Sequence, residues 1–159
     1  MAQVRDRRGS GGEPRGGPPS KVMPRPRPVT YFSDPARTAL SKGLIDGAEE
    51  LARDVGSVHA SQIRRFYSDV TAFGRRLESG KDLPDGAIQA QMGLLKARAA
   101  YAYRRVSDSR RQDFPDQLLQ FFVDHAAAVK DRKDFEAFRQ VFETLIAYHK
   151  FHEKKGERS

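Results

Sequence analysis

Residues 60–78 read ASQIRRFYSDVTAFGRRLE. Projected at 100° per residue, Ile63, Phe66, Tyr67, Val70, Phe73 and Leu77 fall within about 120°, the stripe of an amphipathic helix. His59-Ala60-Ser61-Gln62 resembles a capping box, with Gln62 at the third helical position. Ser79-Gly80 supplies a stop, since glycine tolerates the left-handed residue that ends many helices. This stretch therefore predicts a helix over 60–78, and the same period recurs on both sides of it.

Upstream, Leu40, Leu44, Ala48 and Leu51 share one face, and Ser33-Asp34-Pro35 reads as a start signal, a capping residue followed by proline at the first helical position. This predicts a first helix over 35–53, weakened near Gly43. Downstream, Asp85 is a candidate cap for a helix over 87–106, with Ile88, Met92, Leu95, Ala99 and Ala102 inward. A fourth helix starts near Pro115 and buries Leu118, Leu119, Phe122, Val123, Ala126 and Val129. After a charged junction at 130–133, a fifth runs over 134–154, with Phe135, Phe138, Phe142, Leu145 and Ile146 inward, and Gly156 follows it. No strand alternation occurs. The expected fold is all-α, a compact bundle of about five helices.

Residues 1–29 differ in kind. They are Gly, Pro, Ser and Arg with almost nothing to bury, which predicts a disordered basic tail, locally extended over Arg25–Val29. Order is expected from Tyr31, so the chain divides into a tail (1–29) and a helical domain (30–159). The formal net charge is +8, with 29 basic and 21 acidic residues. Residues 1–29 hold seven basic and two acidic side chains, so the tail carries +5 and the body +3. Such a balance suits a polyanion, because phosphate binding by Lys and Arg releases condensed counterions. Cysteine is absent, which excludes disulfides, thiolate catalysis and Cys-based zinc sites. No apolar run approaches the roughly 20 residues of a membrane span, and the N-terminus lacks a signal-peptide core. A cytoplasmic protein is expected.

Catalytic signatures are missing. There is no Walker loop and no nucleophile elbow, and no cofactor is expected. His149 and His152 are three apart on the fifth helix, but catalytic zinc needs three protein ligands and no convincing others are visible. His149 lies in the apolar arc, where a satisfied core histidine is the commoner outcome. His59 reads as structural.

Positive charge is patterned. Arg64, Arg65, Arg75 and Arg76 form a ridge about 15 Å long at 1.5 Å per residue, opposite the apolar stripe. On the third helix Arg98, Tyr101 and Arg105 share a stripe beside the core face, with Lys96 and Arg104 elsewhere. Guanidinium groups grip phosphate with paired hydrogen bonds, and a tyrosine between them packs on sugar or base. The plainer alternative is solvated arginines, or arginines paired to neighbours such as Asp69 and Glu78.

Three segments together carry a resemblance. Ser61-Gln62-Ile63-Arg64-Arg65-Phe66 opens the second helix. Leu95-Lys96-Ala97-Arg98-Ala99-Ala100-Tyr101, followed by Arg105, lies in the third. Glu143-Thr144-Leu145-Ile146-Ala147-Tyr148-His149-Lys150-Phe151 closes the fifth. In order and spacing the set resembles the small helical subunit of type III-A CRISPR–Cas (Csm) effector complexes, over about residues 44–155. The resemblance implies a non-catalytic RNA-binding subunit of an antiviral ribonucleoprotein. Several copies would stack beside the repeated backbone subunit and other Csm subunits, holding the duplex of guide (CRISPR) RNA and target RNA through its backbone. By matching positions, it implies RNA-facing roles for Arg64, Arg65, Lys96, Arg98, Arg105 and Lys150, with Tyr101 packed beside them or kept in the core and Tyr148 a weaker candidate. Two other classes compete: a helical adaptor docking an acidic protein through its basic face, and an enzyme using His149, His152 and nearby carboxylates.

Overall fold

The computed structural model describes residues 22–80 and 82–153. The expected all-α bundle is the fold: α1 (Lys42–Asp54), α2 (Ala60–Glu78), α3 (Asp85–Arg105), a 3₁₀ helix (Asp108–Asp113), α4 (Asp116–Ala128) and α5 (Arg132–His152). The expectations for residues 1–21 and for the chain beyond Glu153, including the last turn of the fifth helix, lie outside the described residues.

The stripe of α2 is buried as its period requires: Ile63, Phe66, Val70, Phe73 and Leu77 are inside, and Tyr67 is half-buried. α1 packs chiefly on α5, α3 on α4, and α2 on α5. Phenylalanine dominates where these helices converge. Phe114, Phe122, Phe135, Phe138 and Phe142 are fully enclosed. Phe122 meets Phe66 at 4.7 Å and Phe142 at 5.8 Å between ring centroids, and Phe138 stacks on Phe142 at 5.9 Å. Offset and edge-to-face pairs of this kind add to the gain from burial itself.

Two local readings are corrected. Asp34-Pro35 starts a turn, and α1 begins only at Lys42. The Asp34 carboxylate accepts the backbone N–H groups of Thr38 (3.0 Å) and Ala39 (2.9 Å) and the Thr38 hydroxyl, bonds that hold its pKa below the usual carboxylate range. Arg37 sits at φ +58°, and its guanidinium forks onto Asp131 through two 2.9 Å bonds and also reaches Asp134. Asp131 is itself the N-cap of α5, accepting from the Asp134 N–H at 2.9 Å. A short antiparallel bridge between Phe32 and Leu40 closes the loop. Pro35 therefore occupies a turn, because side chains distant in sequence fix Arg37 in a conformation that no helix contains. The capping box at His59 is the second correction: its side chain makes no cap bond. The first-turn amides of Gln62 (3.0 Å) and Ile63 (3.3 Å) instead use the His59 carbonyl. The stop at Ser79-Gly80 holds, with Gly80 at φ +79°.

The 3₁₀ helix after α3 had no sequence signal. Arg111 organises it, donating to the carbonyls of Tyr103 (2.9 Å) and Val106 (3.1 Å) at the end of α3, while its guanidinium lies 3.7 Å from the Tyr103 ring centroid. Freed helix-end carbonyls need such donors.

Contacts with the bundle begin earlier than Tyr31. Residues 22–29 belong to no helix or strand, but they form a strap against α4. The Arg27 backbone N–H and Nε donate to Asp124 at 2.7 and 3.1 Å, and Gln120 Nε2 donates to the Arg25 carbonyl at 2.9 Å. Asp124 is almost fully buried, and a buried carboxylate requires such partners. Apolar periodicity could not reveal this anchor, which is polar on both sides.

Beside it, a 2.7 Å hydrogen bond joins the Tyr31 hydroxyl to His125 Nδ1. Both side chains are buried, and His125 lies between the rings of Phe121 and Phe138. Desolvation pushes the His125 pKa down to about 4, against a smaller opposite pull from Asp124. Burial likewise pushes the Tyr31 hydroxyl up, so it stays protonated. A histidine kept neutral in the fold stabilises it above the ordinary imidazole pKa, and this stability drains as pH falls from about 6.5 toward 4, where the unfolded chain takes up the proton first. Lowering the pH from 7.5 to 5 is expected to cost about 2 kcal/mol by this route. Thermal melts across that range test it. His125→Gln should flatten the dependence, and an equally steep loss in the variant would exclude His125 as its source.

Candidate nucleic-acid interface

α2 and α3 meet along an open groove of about 700 Å³. Phe66, Ala102 and Val106 give it an apolar floor; Arg65, Arg98, Tyr101 and Arg105 stand along it, with Gln62, Ser68 and Asp69. The periodicity that buries Ile63 and Phe66 turns Arg65 outward, and the one that buries Leu95 and Ala99 turns Arg98, Tyr101 and Arg105 to the surface. Tyr101 belongs to the surface and not to the core, at 67% exposure. The Arg105 guanidinium lies 5.7 Å from its ring centroid, a cation–π contact that orders both side chains.

The groove is not uniformly positive. Arg98 is ion-paired across the helices with Asp69, the neighbour the sequence offered as its alternative partner. Glu78, the other such neighbour, pairs with Arg139 of α5 at 3.0 Å, which leaves the α2 arginines facing solvent. Arg139 also fills the close approach of α5 to Gly74, where an added Cβ would meet its Nη1 at 2.7 Å.

Of the sequence candidates, four (Arg65, Arg98, Tyr101 and Arg105) come together. Arg64 is exposed on α2 and Lys96 on α3, neither lining the groove. Arg75 and Arg76 lie further along α2, Arg76 over the Phe73 ring at 5.6 Å. Lys150 is on α5, 3.4 Å from Glu153, and Tyr148 there is half-buried. Gln62 and Asp69 were not singled out as lining residues. Their spacing from Arg65, three back and four on, was the signal, because such residues share a helix face.

The histidine pair does not form a site. His149 is buried, with Nε2 3.0 Å from the Val58 carbonyl. Among the described residues, no three His, Asp or Glu side chains come together as a metal would require. No described helix is long and apolar enough to cross a membrane.

Fold and groove define a class, a small helical protein with an arginine-lined, tyrosine-bearing cleft between two of its helices. The family model for type III-A Csm2 matches residues 39–155, about three-quarters of the chain, and the protein belongs to that family. It is thereby a small subunit of the type III-A Csm complex, assembled with other subunits. No curated protein and no solved structure matches it.

Proposed function

We propose that this subunit holds the guide RNA–target RNA duplex through its backbone, without catalysis, as one of several copies stacked beside the repeated backbone subunit of a cytoplasmic effector. The observation that carries this reading is the convergence of Arg65, Arg98 and Arg105 around the exposed ring of Tyr101 in one groove. Planar guanidinium groups suit phosphate oxygens, and an exposed tyrosine offers a surface to ribose or base. No base-reading motif accompanies them, so contacts should follow backbone and shape. Arg64 and Lys96, on adjoining surfaces of the same helices, extend the positive field, and Lys150 offers a separate contact on α5.

Binding to a guide–target RNA duplex and to each single strand, measured across a salt series, tests the reading. If about five phosphates are engaged, log affinity should fall against log salt with a slope of roughly −3 to −5, with little sequence preference. A flat slope, or no binding at low salt, would overturn it and favour an acidic protein as the groove's partner.

A further inference from the structure

α2 carries four exposed arginines, Arg64, Arg65, Arg75 and Arg76, and only two acids, Asp69 and Glu78. Both acids are taken by arginines of other helices: Asp69 by Arg98 of α3, and Glu78 by Arg139 of α5. Among the described residues no carboxylate pairs with any of the four α2 arginines. The outward face of the helix therefore keeps four positive charges with nothing to neutralise them.

At about 100° per residue these charges fall in two lines. Arg64 and Arg75 come within about 20° of each other, about 16 Å apart along the axis. Arg65 and Arg76 repeat that spacing about 100° further round. The second line is the one beside α3, where Arg65 lines the groove together with Arg98 and Arg105. Arg64 and Arg75 stand on the other flank of α2, outside the groove. Between the two lines the helix presents Ser61, Ser68 and Ala72, all exposed. These side chains are short, and two of them end in hydroxyls. The crest of α2 is thus low, with guanidinium groups on both sides of it, roughly one helix diameter (about 10–12 Å) apart.

We infer that the crest of α2 lies in the minor groove of an A-form RNA duplex. Arg65, Arg98 and Arg105 take the phosphates of one strand, and Arg64 and Arg75 those of the other. Ser61 and Ser68 meet the 2′-hydroxyls between them. The inference rests on the reading of the α2–α3 groove as an RNA site. It adds a second border, the residues that form it, and a chemical ground for preferring RNA to DNA. A-form RNA presents a wide, shallow minor groove that displays 2′-hydroxyls, and a serine hydroxyl can both donate to such a group and accept from it. A low crest lets the helix approach that surface, and cations on both flanks answer the phosphates of both strands. A single strand offers one line of phosphates and leaves Arg64 and Arg75 without a partner.

The test uses the full chain. Arg64→Gln combined with Arg75→Gln should make the salt slope for a short RNA duplex shallower by roughly 2, one phosphate for each arginine. The slope for a single strand should stay as it is. An unchanged duplex slope overturns the proposal and favours an acidic protein as the partner of this flank. An equal change for duplex and single strand shows one continuous strand path and overturns it too. Ser61→Ala combined with Ser68→Ala supplies an independent arm that leaves charge untouched. It should lower the preference for an RNA duplex over a DNA duplex of the same sequence about fivefold, because the 2′-hydroxyl is what separates the two. An unchanged preference overturns the seat of the crest in the minor groove. All four positions are exposed on a helix, and Gln and Ala are good helix formers, so circular dichroism should show both variants folded. The two readings fail separately. If Arg98→Ala and Arg105→Ala weaken binding but the changes at Arg64 and Arg75 do not, only the second border is lost. If the unaltered chain binds no duplex at low salt, the groove reading falls with it.

Discussion

Phe142→Ala should lower the unfolding free energy by about 3–5 kcal/mol, the usual cost of removing a buried phenyl ring. Phe142 is 1% exposed and stands where α2, α4 and α5 converge, with the rings of Tyr67, Phe121, Phe122 and Phe138 around it. Deleting it removes its own transfer energy and leaves a cavity whose walls are rings on three helices, which cannot close without moving backbone. Domains are stable by only about 5–15 kcal/mol, so a large share of the total is at stake. Urea unfolding followed by circular dichroism measures it. Phe151→Ala is the matched control: that ring is 82% exposed, and its loss should change stability by less than about 0.5 kcal/mol. A cost below about 1 kcal/mol at Phe142 would show that the aromatic cluster is not the centre of the core.

The second large effect is on binding. Arg98→Ala and Arg105→Ala should each weaken affinity for a guide–target RNA duplex about tenfold, or about 1.4 kcal/mol, with the melting transition unchanged. On the proposed reading each removes a charge-assisted phosphate contact, and Arg105→Ala also frees the Tyr101 ring from its cation partner. The pair will not add simply, since both line one groove. Asp69 supplies a test of opposite sign. It neutralises Arg98 in the free protein, so Asp69→Asn should tighten binding a few-fold by removing both a competitor and a repulsive charge. Unchanged affinity in all three variants, each normally folded, would sink the groove as an RNA site.

How far these features were legible in the sequence follows from which forces set them. The bounds of α2 and the inward faces of α2 to α5 came from a 3.6-residue period, which burial enforces locally. The stripe of Arg98, Tyr101 and Arg105 was legible for the same reason. That Arg65 stands with it, and Arg64 does not, depends on how α2 lies against α3, which periodicity within one helix does not encode. Phe121 and Val141 went unassigned because α4 and α5 are covered on more than one side, so their buried arcs exceed a single stripe. The misread start of α1 has a different cause. Asp34-Pro35 carries the same residues whether it opens a helix or a turn, and what decides between them is Arg37 reaching Asp131 and Asp134, nearly a hundred residues on. The strap was missed because its holding contacts are polar and its partner residues, Gln120 and Asp124, look like ordinary helix surface in sequence.

The distance along the chain between the strap and its anchor has a consequence for the order in which the protein forms. Arg27 and Tyr31 bond to residues 97 and 94 positions later. Contacts within and between neighbouring helices close short loops early, whereas these close the longest and cost the most chain entropy. On the ribosome neither partner exists until α4 has been made, and α4 reaches a finished hydrophobic surface only with α5. The strap is thus made well before its partners and is among the last parts of the fold to find its place. A growing chain carries Arg27 without its Asp124 partner until the bundle behind it is nearly complete.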